Sequence, residues 1–70
     1  MFVLMKWNRQ YGTAARFVVK DKATNKFALF TPDRLNDVVW TSHDLTVDPE
    51  YRNWDDFDHT EVDYLENVTM

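Results

Sequence analysis

The chain contains no cysteine, which excludes disulfides and thiolate metal sites as staples. It has a single glycine and two prolines, so no low-complexity linker divides it. No internal repeat is visible. The two histidines, His43 and His59, lack the i, i+4 spacing of a two-histidine metal site. No apolar run approaches the ~20 residues of a membrane-spanning helix. The opening stretch Met1-Phe2-Val3-Leu4-Met5-Lys6-Trp7 is broken by Lys6 and follows no basic stretch, so it does not read as a signal peptide. Without an export signal or cysteine, the expected location is the cytoplasm.

Aromatic side chains, by contrast, are abundant: three Trp, three Tyr and five Phe among 70 residues. Each ring can bury roughly 150–250 Å². A chain this short buries only about 60% of its unfolded surface, so aromatic packing or a second subunit has to supply its stability. The expectation is one domain over residues 1–70.

Charge divides the chain in two. Residues 1–30 carry Lys6, Arg9, Arg16, Lys20, Lys22 and Lys26 against Asp21, a balance of +5. Residues 31–70 carry eleven acids against Arg34 and Arg52, a balance of −9. The expected organisation is thus a basic β-hairpin half, 1–30, and an acidic half, 31–70. Such asymmetry can mark an electrostatic binding surface.

Periodicity predicts strands over 2–7, 14–21 and 26–31, each rich in β-branched or aromatic residues. Lys22-Ala23-Thr24-Asn25 joins the last two. It lacks glycine, so Asn25, which tolerates positive φ, is expected in the left-handed region. Thr31-Pro32-Asp33 is a helix-start signal, with Leu35, Val38 and Val39 at helical spacing. A rival reading, preferred because Val-Val-Trp disfavours a short helix, makes 38–41 a strand. Asp48-Pro49-Glu50 repeats the start signal, and Val47, Tyr51, Trp54 and Phe57 lie on or near one helical face, predicting a short helix over 49–57. Thr60, Val62 and Tyr64 alternate with Glu61 and Asp63, predicting a final strand within 60–68, although Val62, Leu65 and Val68 also fit a helix. The fold class expected is α+β: a small, mainly antiparallel sheet of four or five strands with one or two short helices.

The strands Phe2–Met5, Phe17–Val19 and Phe27–Phe30 are apolar at both parities. Side chains alternate faces along a strand, so both sheet faces need cover. Two readings follow. Either one face meets another copy of the chain, giving a homodimer, or the runs are core residues at twisted or bulged positions.

Residues 44–66 hold Asp44, Asp48, Glu50, Asp55, Asp56, Asp58, Glu61, Asp63 and Glu66, opposed only by Arg52 and interleaved with Tyr51, Trp54, Phe57 and Tyr64. Crowded carboxylates repel one another and destabilise a compact state. The functional reading is nucleic-acid mimicry. Alternate residues on a strand lie about 6.6–6.8 Å apart, close to the spacing of successive phosphates, so Glu61 with Asp63, or Asp56 with Asp58, could occupy a basic groove. The candidate partner-binding set is Asp48, Glu50, Tyr51, Trp54, Asp55, Asp56, Asp58, Glu61 and Asp63, with the aromatic members as anchors or as core. The alternative is an ordinary solvated face, part of it paired internally with the basic half.

Other constellations are weaker. Asp56-x-Asp58-x-Thr60 resembles the start of a calcium loop, but Glu61 stands where glycine is needed and Asn67 where a bidentate glutamate belongs. Ser42 beside His43 does not make a nucleophile–base pair. No glycine-rich phosphate loop is present, and so short a chain has little room for a substrate cleft. No enzyme activity, metal or cofactor is therefore expected. Direct nucleic-acid binding through Arg16, Lys20, Lys22 and Lys26, with Trp7, Tyr11 and Phe17 stacking on bases, is a further possibility, opposed by a pI near 4.8.

In length, acidity and aromatic content the chain is similar in style to the small inhibitors that phages and mobile elements deploy against host restriction nucleases, CRISPR complexes or polymerases. That likeness is one of class, carried by charge and size. It implies a stoichiometric inhibitor of a nucleic-acid-handling protein or complex. The alternative is a general, homo-oligomeric protein-interaction domain without mimicry.

Overall fold

Four strands form one antiparallel sheet in the order β3-β2-β1-β4. They are β1 (Phe2–Asn8), β2 (Arg16–Asp21), β3 (Lys26–Phe30) and β4 (Asp55–Val62). The structure, a computed structural model, describes residues 1–9, 15–34 and 37–68. Among these the helical part consists of short 3-10 turns, which include Leu45–Val47, Pro49–Tyr51 and Leu65–Asn67. The fold is therefore small and mainly β. The helices of the expected α+β arrangement are reduced to single turns. The radius of gyration, 11.0 Å, matches the roughly 11 Å expected of a folded chain of this length.

The hairpin β2–β3 forms where the sequence places it. Asp21 pairs with Lys26, Asp21 Oδ1 accepts from the Ala23 N–H at 2.9 Å, and Asn25 has φ 58°. Asparagine closes this glycine-free turn because its short polar side chain tolerates the left-handed region. Ala14, the first residue of the expected second strand, lies outside the described residues.

β2 lies between β3 and β1, and its two central valines divide the core. Val19 belongs to one buried cluster with Leu4, Ala15, Phe17, Ala28, Phe30 and Val68. Val18 belongs to the other, with Tyr51 and Trp54. Phe17, Val18, Val19 and Phe30 are fully buried, and each such side chain is worth about 1.5–3 kcal/mol. Adjacent residues are buried on opposite faces because the strand alternates.

The chain covers both faces itself. Val38, Trp40, Phe57, Val62 and Leu65 pack against the first cluster, and Leu29 and Leu45 against the second. Trp40 stacks on Phe2 with ring centroids 5.6 Å apart. Segments of the same chain pack on both faces, the 38–40 stretch and closing turn on one side and residues 45–54 on the other, as the reading of the apolar runs as core residues has it.

Three local expectations need correction. Among the described residues of 38–41 only Thr41 enters sheet pairing, so that stretch is not a full strand, and the helix expected from Thr31 runs through residues 35 and 36, which lie outside the described ones. The Arg34 N–H donates to the Thr31 carbonyl in a turn, and Thr41 exchanges two 2.8 Å hydrogen bonds with Phe27. Thr41 therefore makes an isolated bridge on the outer edge of β3. Leu35 lies outside the described residues. The helix over 49–57 is one 3-10 turn, after which the chain enters β4 at Asp55. Asn53, Asp55 and Asp56 are weak helix formers, and pairing of Asp55 and Asp56 with Trp7 and Lys6 of β1 extends the chain. The final strand consequently begins at Asp55 and ends at Val62. Leu65–Asn67 then turns so that Leu65 and Val68, three residues apart, both reach the core.

Candidate functional site

The acidic half delivers its carboxylates to an edge of the sheet. β4 neighbours β1 alone, so its far side is an outer edge. Asp55, Asp56, Asp58 and Glu61 on this strand, and Asp63 just after it, are all exposed. These five members of the candidate set are brought together along one border of the molecule.

The row is not regular. Leu4 pairs with Thr60 and Lys6 with Asp56, so Met5 alone on β1 faces Phe57, Asp58 and His59 on β4. This bulge is completed by His59, whose φ is 49°. A non-glycine residue there carries strain, and the bulge bends the strand. It lies between Asp56 and Thr60 and takes in Asp58. The even two-residue spacing that phosphate mimicry requires is therefore interrupted.

Two of the carboxylates are paired with the basic half. Lys6 Nζ lies 2.9 Å from Asp56 Oδ1, with side-chain exposures of 17% and 84%. Lys22 Nζ lies 2.8 Å from Glu61 Oε1. Such exposed pairs are worth about 0–1 kcal/mol, so they orient the side chains more than they stabilise the fold. Asp55, Asp58 and Asp63 enter neither pair. Internal neutralisation across β1–β4 and from the hairpin loop is what the opposed charges of the two halves imply, and the residues that achieve it are Lys6 and Lys22.

The remaining candidates divide differently. Tyr51 and Trp54 are core, each 7% exposed, with rings edge-to-face at 4.8 Å against Val18. Of the two placements the sequence left open, the structure puts both rings in the core. Burial first, then the nearby carboxylates of Glu50 and Asp48, push the Tyr51 phenol above its usual 10.0, so it stays neutral. Phe57 turns to the opposite face, packing against Phe17 and Trp7. Glu50 is exposed. Asp48 accepts from His43 Nε2 at 2.6 Å. That hydrogen bond, followed by the charge of Asp48, raises the His43 pKa above 6.5. In sequence His43 and His59 showed only that they lack metal-site spacing. Contact of the one with Asp48 and the positive φ of the other depend on chain reversal.

Several constellations do not assemble. No group of three or more metal-ligating side chains occurs among the described residues. The basic hairpin loses part of its presumed nucleic-acid surface. Phe17 is fully buried, Lys20 lies over the Phe27 ring at 5.7 Å, and Lys22 is engaged by Glu61. Arg9 lies 5.5 Å over the Trp7 ring. Tyr11 lies outside the described residues. A depression of about 300 Å³ opens at the bulge, lined by Met5, Lys6, Thr46, Asp56 and His59. A smaller apolar hollow of about 110 Å³ lies between β4 and the closing turn. No described helix is long and apolar enough to cross a membrane.

No family model matches the chain, and no curated protein or solved structure matches it either.

Proposed function

We propose that the protein is a small binding inhibitor that presents its acidic β4 edge to the basic surface of a nucleic-acid-handling protein or complex. The observation supporting this reading is the concentration of Asp55, Asp56, Asp58, Glu61 and Asp63 on one exposed outer strand and its exit. Proteins that grip nucleic acid present lysine and arginine to phosphates, and an array of fixed carboxylates competes for those groups. The proposed action is stoichiometric and non-catalytic, in the cytoplasm, against host machinery of the kind that phage and mobile-element inhibitors address. The contact set is now Asp55, Asp56, Asp58, Glu61 and Asp63, with Asp48 and Glu50 on the adjoining segment. Tyr51 and Trp54 support it from the core.

The ion pairs to Lys6 and Lys22 favour a second reading, a general protein-interaction domain whose edge acids keep the sheet from aggregating.

Salt and competition separate the two. Inhibition by mimicry weakens steeply between about 50 and 200 mM salt and is relieved by added DNA or RNA. Asp55→Asn, Asp56→Asn and Asp58→Asn together should abolish it in a folded protein. Affinity indifferent to salt, and unchanged in that triple variant, would establish the second reading instead.

A further inference from the structure

The two borders of the sheet are finished differently. On β3, Thr41 exchanges both of its peptide hydrogen bonds with Phe27, so that edge is already capped near its start. On β4 no such bridge is present among the described residues. The direction of the peptide groups on β4 follows from the ladder. The Lys22 N–H donates to the Met1 carbonyl at 3.1 Å, so Met1, and by alternation Val3, direct their peptide groups to β2. Phe2 and Leu4 then direct theirs to β4, onto Val62 and Thr60. Glu61, between those two, aims its N–H and carbonyl outward, away from the sheet.

An outward N–H and C=O on an extended strand are the elements of recognition by strand addition, in which main-chain bonds give affinity and side chains give specificity. Charge selects the strand. The β4 of a second copy, paired antiparallel at Thr60–Val62, would set Glu61 opposite Glu61, and like charges directly opposite are destabilising. A strand carrying lysine or arginine at alternate positions meets the opposite situation. The geometry points to β4 accepting an extended basic segment of its partner at Thr60–Val62, with the Glu61 peptide group making the first main-chain bonds. The bulge at His59 limits the pairing to this short stretch and leaves Asp55, Asp56 and Asp58 to hold cationic side chains. This inference rests on the proposed use of β4 as the contact surface. It adds the form of the partner: an extended basic segment rather than a folded basic groove.

The test uses the full chain and a capped peptide of alternating lysine and valine, with a second peptide N-methylated on every residue so that neither of its edges can donate. Amide exchange and chemical shifts are followed by NMR at low salt. Strand addition predicts that the unmodified peptide slows exchange of the Glu61 amide by about tenfold or more, and that N-methylation weakens binding by a similar factor. Glu61→Gln keeps the main-chain N–H and C=O, so it retains the preference for the unmodified peptide. Glu61→Pro removes the N–H that donates to a peptide carbonyl, at an edge position that tolerates proline, so it weakens the binding of both peptides. If Glu61→Pro fails to fold, the comparison of the two peptides decides. Equal binding of both peptides with an unprotected Glu61 amide would overturn strand addition while leaving acidic attraction intact. Binding of neither peptide would also overturn it, and the salt and competition experiment with a folded partner would then judge the inhibitor reading by itself.

Discussion

His43 Nε2 lies 2.6 Å from Asp48 Oδ1, tying the bridge at Thr41 to the residue that precedes the Pro49–Tyr51 turn. The clasp spans the start of the segment that carries Tyr51 and Trp54 onto Val18. Its neighbours are all local: Thr41 Oγ1 accepts from the His43 N–H at 3.2 Å, and Asp44 adds a weaker attraction for the imidazolium.

The clasp makes stability depend on pH. Because its folded-state pKa is raised above 6.5 by the Asp48 hydrogen bond and charge, His43 binds its proton more tightly in the folded than in the unfolded chain. Its contribution is fully present below pH 6.5 and is lost as pH rises through the folded value. An NMR titration of His43 should show the elevated pKa, and Asp48→Asn should return it towards 6.5. The melting temperature of the parent should fall more than that of Asp48→Asn as pH is raised through this window.

Trp54 is a structural test of the second cluster. Removing its ring exposes Val18 and leaves Tyr51 without its edge-to-face partner. Truncation of a buried tryptophan costs about 3–5 kcal/mol, which equals the whole stability expected of so small a core. Trp54→Ala should be largely unfolded at room temperature by circular dichroism and urea titration. A folded variant with lost partner binding would instead make Trp54 a surface anchor.

Asn25 and His59 both hold positive φ, so they respond to substitution through the backbone. Asn25→Val and His59→Val should each lose about 1–2 kcal/mol in denaturant titrations, the cost of the left-handed region for a residue with a crowded Cβ. Asn25→Gly and His59→Gly should come within about 1 kcal/mol of the parent, because glycine enters that region freely but loses more entropy on folding. Equal effects of valine and glycine would exclude a backbone cause.

The acidic edge should be dispensable for folding. Asp56 is 84% exposed and its pair with Lys6 is correspondingly screened. Asp55→Asn, Asp56→Asn and Asp58→Asn combined should therefore change the denaturation free energy by no more than about 1 kcal/mol. Relief of repulsion among the neighbouring carboxylates should offset the lost pair at low salt. A loss of several kcal/mol would mean that these carboxylates hold the sheet together.

Local chemistry made the hairpin readable. Phe17-Val18-Val19 and Phe27–Phe30 favour strands, and asparagine is the residue able to close Lys22–Asn25. Those signals sit within a few residues of what they determine. β4 was harder to read. Tyr51, Trp54 and Phe57 have helical spacing, yet two are buried on one side of the sheet and the third on the other. Their spacing reflects a chain passing from one face to the other around an edge, which no local period records.

The candidate site follows the same division. That residues 44–66 gather negative charge, and that both faces of the strands need cover, is dictated by the sequence alone, because composition and alternation are properties of adjacent residues. Which carboxylates share an edge, that Lys6 and Lys22 neutralise two of them, and that Tyr51 and Trp54 lie inside were decided by tertiary structure. Each depends on β4 pairing with β1 across some fifty residues. The free energy of that pairing comes from burial on both faces, so it overrides the weak helical preference of the segment it recruits.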